Sequence, residues 1–314
     1  MSYKLHAELA AEHGGADRWG YRRIHCGQLS VKGRPLSTPT GKNGNKKGSD
    51  GASESLQKRD QAALGRVRAA GLPKDLNWVS ADANPSYYEM GNPNTTAQVH
   101  PFQFTTSMAE LASEKGAKIL LGATVESVNQ SGNTVKSVTY TDASPSEAHT
   151  LPATDVLLAA GPWTQRVYPR APISAMRAHS VTIRPSSPIA AYALFTEISL
   201  PSNFGRTDTF QKSKRAHGKE VTPEIYARPN NEAYCCGEGD RLVPLPKTTA
   251  DVVTDDSRCQ DIIDYVSSIS DELRDGEVLV RQACYLPNVT AGDGHPLIGE
   301  TGVKGLLMAA GHSK

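Results

Sequence analysis

The sequence predicts an α/β (α+β) protein with two lobes, one containing buried apolar strands and the other an antiparallel sheet. Two short apolar strands, residues 156–160 and 306–310, both run into the tripeptide Ala-Ala-Gly. A helix, a strand and a hairpin follow one another after residue 101, whereas proline-separated strands between residues 178 and 236 are typical of an antiparallel sheet. The 314 residues are enough for two lobes with a core.

Composition excludes several classes of function. The 34 Lys and Arg residues nearly balance 33 Asp and Glu, so the net charge of +1 does not indicate a nucleic-acid-binding protein. Five cysteines without CxxC spacing favour a reducing compartment over a disulfide framework. The sequence contains no membrane-length apolar run, signal peptide or metal-ligand cluster. It therefore predicts a soluble, cytoplasmic protein without a transmembrane segment or bound metal.

The most informative stretch is residues 154–164, TDVLLAAGPWT. Its uninterrupted apolar run predicts a strand buried on both faces, and Gly161 at its end lets a bulky group approach the backbone closely. Open α/β sheets bind ligands at this carboxyl end. Residues 306–311, LLMAAG, repeat the pattern, which suits a flat or extended ligand lying across both ends. A core strand followed by a turn is the alternative interpretation of the first stretch.

Local patterns predict the other elements in order. Residues 5–11 have helical spacing, and residues 19–31 alternate like a strand. Residues 37–58 are Gly-, Ser- and Lys-rich and are predicted to be a disordered insertion. Thr105 or Thr106 is expected to cap a helix that ends near Gly116. The remaining predicted elements are strands at residues 119–121, 125–128, 134–141, 178–183, 191–198, 224–227, 233–236 and 278–285, and a helix at residues 251–273.

Several motifs, in order and together, resemble a known family. VHPFQFTTSM, DVLLAAGPWT, DGHPLIG and GLLMAAGHS resemble segments of the FAD-dependent oxidoreductases of the D-amino-acid oxidase and sarcosine oxidase (DAO) class. AEHGG, RWGYR and RQACYLP are most similar to fungal cytoplasmic members, including a yeast protein linked to endosomal traffic. The resemblance implies FAD as cofactor, an incomplete Rossmann-like flavin-binding lobe (residues 1–36, 98–175 and 288–314) and an antiparallel-sheet substrate lobe (residues 59–97 and 176–287).

The resemblance also implies which residues form the site. For Trp163 the alternative to contact with FAD is a packing role. For His312 the alternative is a surface histidine without a ligand. On the strand before DGHPLIG, Arg281 or Tyr285 is a candidate to face the flavin, but the inward set of side chains is not determined by the sequence. The implied FAD-binding residues are Val125, Ala159, Ala160, Gly161, Trp163, Gly311, His312 and Ser313.

Two departures from the family pattern bear on activity. The sequence has no strand–GxGxxG–helix unit, which places the FAD pyrophosphate at a helix N-terminus in relatives. The chain is therefore expected to be truncated at both ends and to bind FAD weakly. Leu286-Pro287 stands where amino-acid-oxidising relatives often have Arg-Pro, so an ordinary amino acid is not the expected substrate.

Two functions remain open from the sequence. The first is an oxidoreductase that transfers a hydride from a C–N or C–O bond of a small-molecule amine or alcohol to flavin. The second is a non-catalytic interaction protein with trafficking partners, associated with endosomes.

Overall fold

The chain forms two compact units. The computed structural model describes residues 2–36, 71–142, 147–202, 204 and 217–312. Unit 1 comprises Met1–Met108, His179–Glu238 and Asp255–Gln282, and unit 2 comprises Ala109–Ala178, Gly239–Thr254 and Ala283–Lys314. The insertion predicted at residues 37–58 lies outside the described residues.

Most of an eight-stranded sheet lies in unit 1, with helices α1, α2, α5 and α6, although residues 173–178 of β9, 239–240 of β13 and 283–289 of β14 belong to unit 2. The strand order is β14-β9-β13-β12-β10-β2-β3, with β11 also paired to β10. The bounds are α1 Ser2–His13, α2 Gly15–Trp19, α5 Asp256–Ser267 and α6 Asp271–Arg274, with β1 Arg22–Arg23, β2 His25–Lys32, β3 Ser86–Gly91, β4 Ala97–Gln98, β9 Ile173–Arg184, β10 Tyr192–Ser199, β11 Glu220–Val221, β12 Glu224–Arg228, β13 Glu232–Asp240 and β14 Glu277–Val289.

One strand pair departs from the predicted antiparallel pattern. The pairs β10–β12, β12–β13 and β2–β3 are antiparallel, but β2 pairs in parallel with β10 over its whole length, from His25 opposite Tyr192 to Lys32 opposite Ser199. Residues 1–36, which the sequence analysis groups with the flavin lobe, therefore belong with the sheet of unit 1. The functional assignment of the lobes stays a prediction.

The sheet of unit 1 is buried on one face. Ile225, Ala233 and Cys235 are fully buried, and they belong to the same core as Ile262 and Val266 of α5. Since successive side chains of a strand point to opposite faces, the residues between them on β12 and β13 lie on the other face. That face is only partly covered.

Unit 2 contains two three-stranded sheets, ordered β5-β6-β7 and β15-β16-β8. They are joined where the Val135 amide donates to the Lys304 carbonyl at 3.0 Å and the Lys304 amide donates to the Asn133 carbonyl at 2.9 Å. Leu158, Ile173, Leu306 and Met308 form part of the core between them. The bounds are α4 Thr164–Val167, β5 Thr124–Ser131, β6 Thr134–Thr141, β7 Ala148–Pro152, β8 Val156–Leu158, β15 Leu297–Glu300 and β16 Leu306–Ala310.

Helix α3 (Pro101–Glu114) begins earlier than the sequence predicts. Pro101 occupies the first turn, where a missing amide hydrogen costs nothing. The hydroxyl of Thr106, a predicted cap, instead donates to the Phe102 carbonyl within the helix at 3.0 Å. Gly116 follows the helix with φ +91°, in agreement with the predicted end. No helix in the described ranges is long and apolar enough to cross a membrane.

The single helix predicted at residues 251–273 is wrong, because polar residues cap new starts within it. A short 3-10 turn covers Thr249–Asp251, Asp255 accepts the Ser257 amide at the start of α5, and the Ser270 hydroxyl accepts the Leu273 amide at the start of α6. These side chains satisfy amide groups that a continuous helix would satisfy through its carbonyls.

Two predictions for apolar segments of unit 2 are also wrong. Residues 119–121 form no strand, and Leu121 is 88% exposed. Strand β8 is not buried on both faces, because Leu157 is 59% exposed while Leu158 is buried. The strand lies at the edge of its sheet, and no described element covers the face that carries Leu157.

We predict a large difference between two leucines on the neighbouring strands β8 and β16. Leu306→Ala removes a fully buried side chain and should lower the free energy of unfolding by about 2–5 kcal/mol. Leu157→Ala, the matched control, should change it by less than about 0.5 kcal/mol, because the side chain is mostly exposed. Urea denaturation measures both values. Equal losses would show that Leu157 is covered in solution.

Candidate active site

The partly covered face of the unit 1 sheet carries a row of reactive side chains. Glu224, Tyr226 and Arg228 alternate along β12 with the buried Ile225 and Ala227. In the ladder with β13, Tyr226 pairs with Tyr234 and Glu224 with Cys236, so these side chains share the face. An acid, two phenols, a guanidinium and a thiol therefore lie together on the side of the sheet opposite α5.

A cavity of about 350 Å³ lies over this face, within unit 1. Its volume is in the range of small-molecule binding sites. The segment that includes β4 and the start of α3 forms one wall, and β12 and β13 form the other. Its lining residues are Gln98, Val99, Pro101, Glu224, Tyr226, Arg228, Tyr234 and Cys236.

The Glu224 carboxylate is the centre of a small hydrogen-bond cluster in this cavity. The Tyr226 hydroxyl donates to Oε2 of Glu224 at 2.6 Å, and the Cys236 thiol lies 3.7 Å from the same oxygen. Burial, and after it the hydrogen bond to Glu224, raises the pKa of Tyr226. The phenol is therefore a neutral donor with a fixed direction, and Glu224 is its acceptor.

Arg228 lies at the other end of the same strand. Its guanidinium carbon is 4.2 Å from the centre of the Tyr234 ring, a cation–π contact. Burial lowers the pKa of Arg228, since the charged form is partly removed from water. Tyr234 and the carboxylate of Glu232, its ladder partner on β13, partly offset this lowering.

A second candidate region, in unit 2, consists of backbone rather than side chains. Strands β8 and β16 are parallel neighbours, with Leu158 opposite Met308, so their Ala-Ala-Gly ends lie at the same sheet edge. Gly161 has φ +51°, and a Cβ atom added there would have no neighbour within 4 Å. Gly311 has φ +84°, and a Cβ atom there would lie 2.4 Å from Val289. Open backbone at Gly161 is compatible with close approach of a bulky ligand.

The other predicted cofactor residues lie in unit 2 as well. Ala159 and Ala160 continue from β8 towards Gly161, and Trp163 follows in a 3-10 turn with its indole N–H donating to the Pro246 carbonyl at 2.8 Å. Val125 is 41% exposed on β5. His312 is exposed directly after Gly311, and Ser313 lies outside the described residues. Their roles towards FAD stay predictions.

The two predicted catalytic candidates both have partners within the protein. Arg281, in unit 1, donates to the Asp256 carbonyl at 3.0 Å and to Oε1 of Gln260 at 2.7 Å. Tyr285, in unit 2, is buried, and its hydroxyl lies 3.2 Å from the Val243 carbonyl and 3.0 Å from the Pro244 carbonyl. These contacts account for both side chains without a ligand, so their catalytic role stays a prediction.

The sequence analysis missed Glu224, Tyr226 and Arg228. Their signal in the sequence is EIYARP, in which polar and apolar residues alternate. The alternation indicates a strand with one buried face. It does not reveal that the polar face borders a cavity, which depends on the distant segment around Gln98.

Unit 1 thus carries a largely antiparallel sheet beside a ligand-sized cavity, and unit 2 carries parallel strands that run into small residues, which together are typical of α/β ligand-binding proteins. The family model of the FAD-dependent oxidoreductases (DAO) matches residues 2–314, and the chain belongs to that family. The resemblance seen in the sequence motifs is thereby confirmed, and the mixed α/β fold agrees with it.

Two fungal relatives are designated oxidoreductases. The protein TDA3 of Saccharomyces cerevisiae is 34% identical over 274 residues, which cover 77% of this chain and 49% of the relative. A Schizosaccharomyces pombe protein is 30% identical over 324 residues, which cover 99% of this chain and 72% of the relative. The chain thus spans about half the length of the first relative and about three quarters of the second.

Solved structures share the fold. Glycine oxidase from Geobacillus kaustophilus superposes with a TM-score of 0.63 at 16% identity, covering 99% of this chain and 71% of that one. L-proline dehydrogenase from P. horikoshii gives a TM-score of 0.61 at 16% identity, covering 99% and 71%. At this identity the likeness concerns the fold alone.

We predict that the hydrogen bond of Tyr226 stabilises unit 1 in a pH-dependent way. Tyr226→Phe should cost about 1–2 kcal/mol at pH 7.5, since it removes a donor to a charged acceptor. The pKa of Tyr226 is higher in the folded state than in the unfolded chain. The contribution of Tyr226 to the free energy of unfolding is therefore fully present below about pH 10 and is lost as the pH rises. The cost should therefore decrease between pH 7.5 and pH 11, by at most about 1.4 kcal/mol, because the unfolded-state phenol ionises over this range.

Urea denaturation at pH 7.5 and pH 11 measures this difference. Tyr88→Phe is the control, because Tyr88 is 71% exposed on β3 and should change stability little at pH 7.5. A cost for Tyr226→Phe that is unchanged at pH 11 would contradict the prediction.

Proposed function

We propose that the protein oxidises a small-molecule amine in an FAD-dependent reaction, with the cavity over β12 and β13 as the substrate site. The observation that carries the proposal is the cluster of Glu224 and Tyr226 inside a cavity of about 350 Å³. Membership in a family of FAD-dependent oxidoreductases supports it. The name of the structurally similar glycine oxidase also supports an amine as substrate.

FAD, when bound, would accept the hydride that leaves the substrate carbon next to nitrogen. Before this step, the chain's own residues would deprotonate and orient the amine. An ammonium group has no lone pair to assist loss of the hydride, so its extra proton must first be removed. Tyr226 and Cys236 both contact Oε2 of Glu224, so Oε1 of this carboxylate would accept the proton.

Tyr226 would orient the amine while Glu224 accepts the proton. Its hydroxyl oxygen can accept an N–H of the substrate while its own hydrogen is donated to Glu224. Hydride loss leaves an imine carbon, which water hydrolyses to a carbonyl compound and a free amine. A hydroxyl-bearing substrate would transfer its O–H proton to Glu224 and lose a hydride from the same carbon, which gives the carbonyl compound directly without hydrolysis.

The cofactor would be held in part by the strand ends of unit 2. Backbone at Gly161 offers room for a ligand, whereas Gly311 lies against Val289, and the family relationship assigns FAD as the ligand. The described residues contain no GxGxxG loop for the pyrophosphate. We therefore propose that the chain binds FAD weakly. The designation of the matched fungal relatives as oxidoreductases favours this proposal over the trafficking alternative.

We predict that Gly161→Ala weakens FAD binding by roughly 5- to 100-fold, because the added methyl group would occupy the space of an approaching ligand. Gly132→Ala is the matched control. Gly132 also has positive φ (+58°) and no neighbour within 4 Å of an added Cβ atom, but it lies in the β5–β6 turn. Titration with FAD, followed by flavin fluorescence, measures both. Equal affinity of the two variants would contradict the assignment of Gly161.

We predict that Glu224→Gln lowers kcat for amine oxidation by about 10²- to 10⁴-fold, since an amide cannot accept the proton. The amide oxygen still accepts the Tyr226 hydrogen bond, so folding should be preserved. Glu114→Gln, at the exposed end of α3, is the control for loss of one carboxylate. Dye reduction with a panel of primary and secondary amines, with FAD added, measures turnover. An unchanged kcat in Glu224→Gln would overturn the role of this carboxylate.

A further inference from the structure

We propose that the free edge of β14 is an interface, where a second copy of this chain adds its own β14 in antiparallel pairing about a two-fold axis. The two eight-stranded sheets would then form one continuous sheet. The segment concerned is residues 277–282, the part of β14 that lies in unit 1. The inference concerns assembly, so it does not rest on the proposed function.

The first support is the position of β14 at one end of the sheet. Its ladder neighbour is β9, and no other backbone–backbone hydrogen bond in the described part of the chain involves residues 277–282. Alternate residues of an edge strand direct both their amide and their carbonyl away from the sheet. With 13 residues, β14 is the longest of the described strands, so the row of outward backbone groups is long.

The second support is that this edge lacks the usual protection. Edge strands of soluble proteins commonly carry lysine, proline or a bulge that prevents pairing with other chains. Residues 277–284, EVLVRQAC, contain neither lysine nor proline. Val278 and Val280 are 38% and 43% exposed, and they share a face of the strand. At the other end of the sheet, β3 has six residues and an irregular register with β2, so β14 is the edge better suited to strand addition.

The third support is that the sequence of β14 is complementary to itself in one antiparallel register. A two-fold axis at Leu279 places Val278 opposite Val280 of the partner subunit. The same axis places Glu277 opposite Arg281 of the partner subunit. Directly opposite β-branched pairs and opposite-charge pairs stabilise a ladder, whereas like charges destabilise it. An axis at Arg281 would instead set two arginines against each other, and an axis at Val280 would set Leu279 against an arginine.

Glu277 and Arg281 each have capacity for the proposed ion pair. Oε2 of Glu277 accepts Nη1 of Arg184 on the neighbouring strand β9. Arg281 donates to the Asp256 carbonyl and to Gln260, and both of these acceptors are uncharged. A carboxylate accepts more than one hydrogen bond, and a guanidinium donates up to five. Two-fold symmetry forms the Glu277–Arg281 pair twice, so the charges of the two edges match.

Two-fold pairing also predicts a closed assembly. Each β14 edge is covered by its equivalent in the other subunit, so the dimer leaves no β14 edge for a third chain. Pairing of β14 with a different edge would leave one edge free on each subunit and would continue into a fibre. The expected species is therefore a dimer and not an open polymer.

Light scattering and analytical ultracentrifugation of the purified chain, from about 1 to 300 μM, should show a monomer–dimer equilibrium with a Kd of about 1–100 μM. Val280→Lys should raise this Kd by at least about 10-fold, because symmetry places a lysine in both copies of the apolar pair. Val280→Thr keeps a β-branched side chain and should change Kd by less than about 3-fold. Met90→Lys on β3 is the matched control, since Met90 is 55% exposed on the opposite edge, and it should leave Kd unchanged.

Disulfide trapping tests the register. Leu279→Cys, in a Cys284→Ser background that removes an exposed thiol, places one cysteine of each copy at the axis. Opposite Cα atoms of paired strands lie about 4.5–5.5 Å apart, within the range of a disulfide. Mild oxidation should therefore give a covalent dimer, whereas Met90→Cys in the same background should give little. If the melting temperature shows that Val280→Lys does not fold, the trapping experiment still decides the question.

The outcomes separate the possible occupants of the edge. A wild-type chain that stays monomeric up to 300 μM, or that forms polymers instead of dimers, overturns the inference. A dimer with an unchanged Kd in Val280→Lys and no disulfide through Leu279→Cys is formed by another surface, and this result overturns the inference as well. Absence of amine oxidation together with a dimer sensitive to Val280→Lys would refute the proposed function and leave the interface standing.

Discussion

The alternation of side chains along β12 and β13 is the constraint on which the candidate site depends. Ile225 and Cys235 are fully buried in the core of unit 1, and their commitment to that core sends Tyr226 and Tyr234 to the opposite face. A slip of one residue in the register would exchange the two sets and place charged groups in the core. Hydrophobic packing of the apolar set against α5 thus determines the face of the sheet on which the polar side chains lie.

Much of the secondary structure could be predicted from the sequence, because the strands of unit 1 follow the alternation of polar and apolar residues. The predicted strands at residues 178–183, 224–227 and 233–236 lie within β9, β12 and β13, and the strand predicted at residues 191–198 begins one residue before β10. Helix bounds were less predictable. Capping by Asp255 and Ser270 depends on backbone geometry that the apolar pattern between residues 251 and 273 does not contain.

The site was predicted less completely than the fold, for a reason that differs between the two units. In unit 2, the repeated Ala-Ala-Gly was visible in the sequence. The adjacency of β8 and β16 places these small residues together as a candidate ligand-binding region. In unit 1, Arg228 becomes notable only through what surrounds it. Its ring contact with Tyr234 and its position in the cavity wall are facts of tertiary structure. Apolar residues alone did not correctly predict a strand at residues 119–121, where Leu121 is exposed.

The parallel pairing of β2 with β10 bears on how the polypeptide acquires its structure. His25 pairs with Tyr192, 167 positions further along, so β2 can meet its parallel partner only after β10 has been synthesised. Contacts between such distant segments require a large loop to close before they add stability, which slows acquisition of the native topology. Until then Leu29 and Val31, on the apolar side of β2, lack the contacts of the completed sheet, which favours aggregation of the partly folded chain.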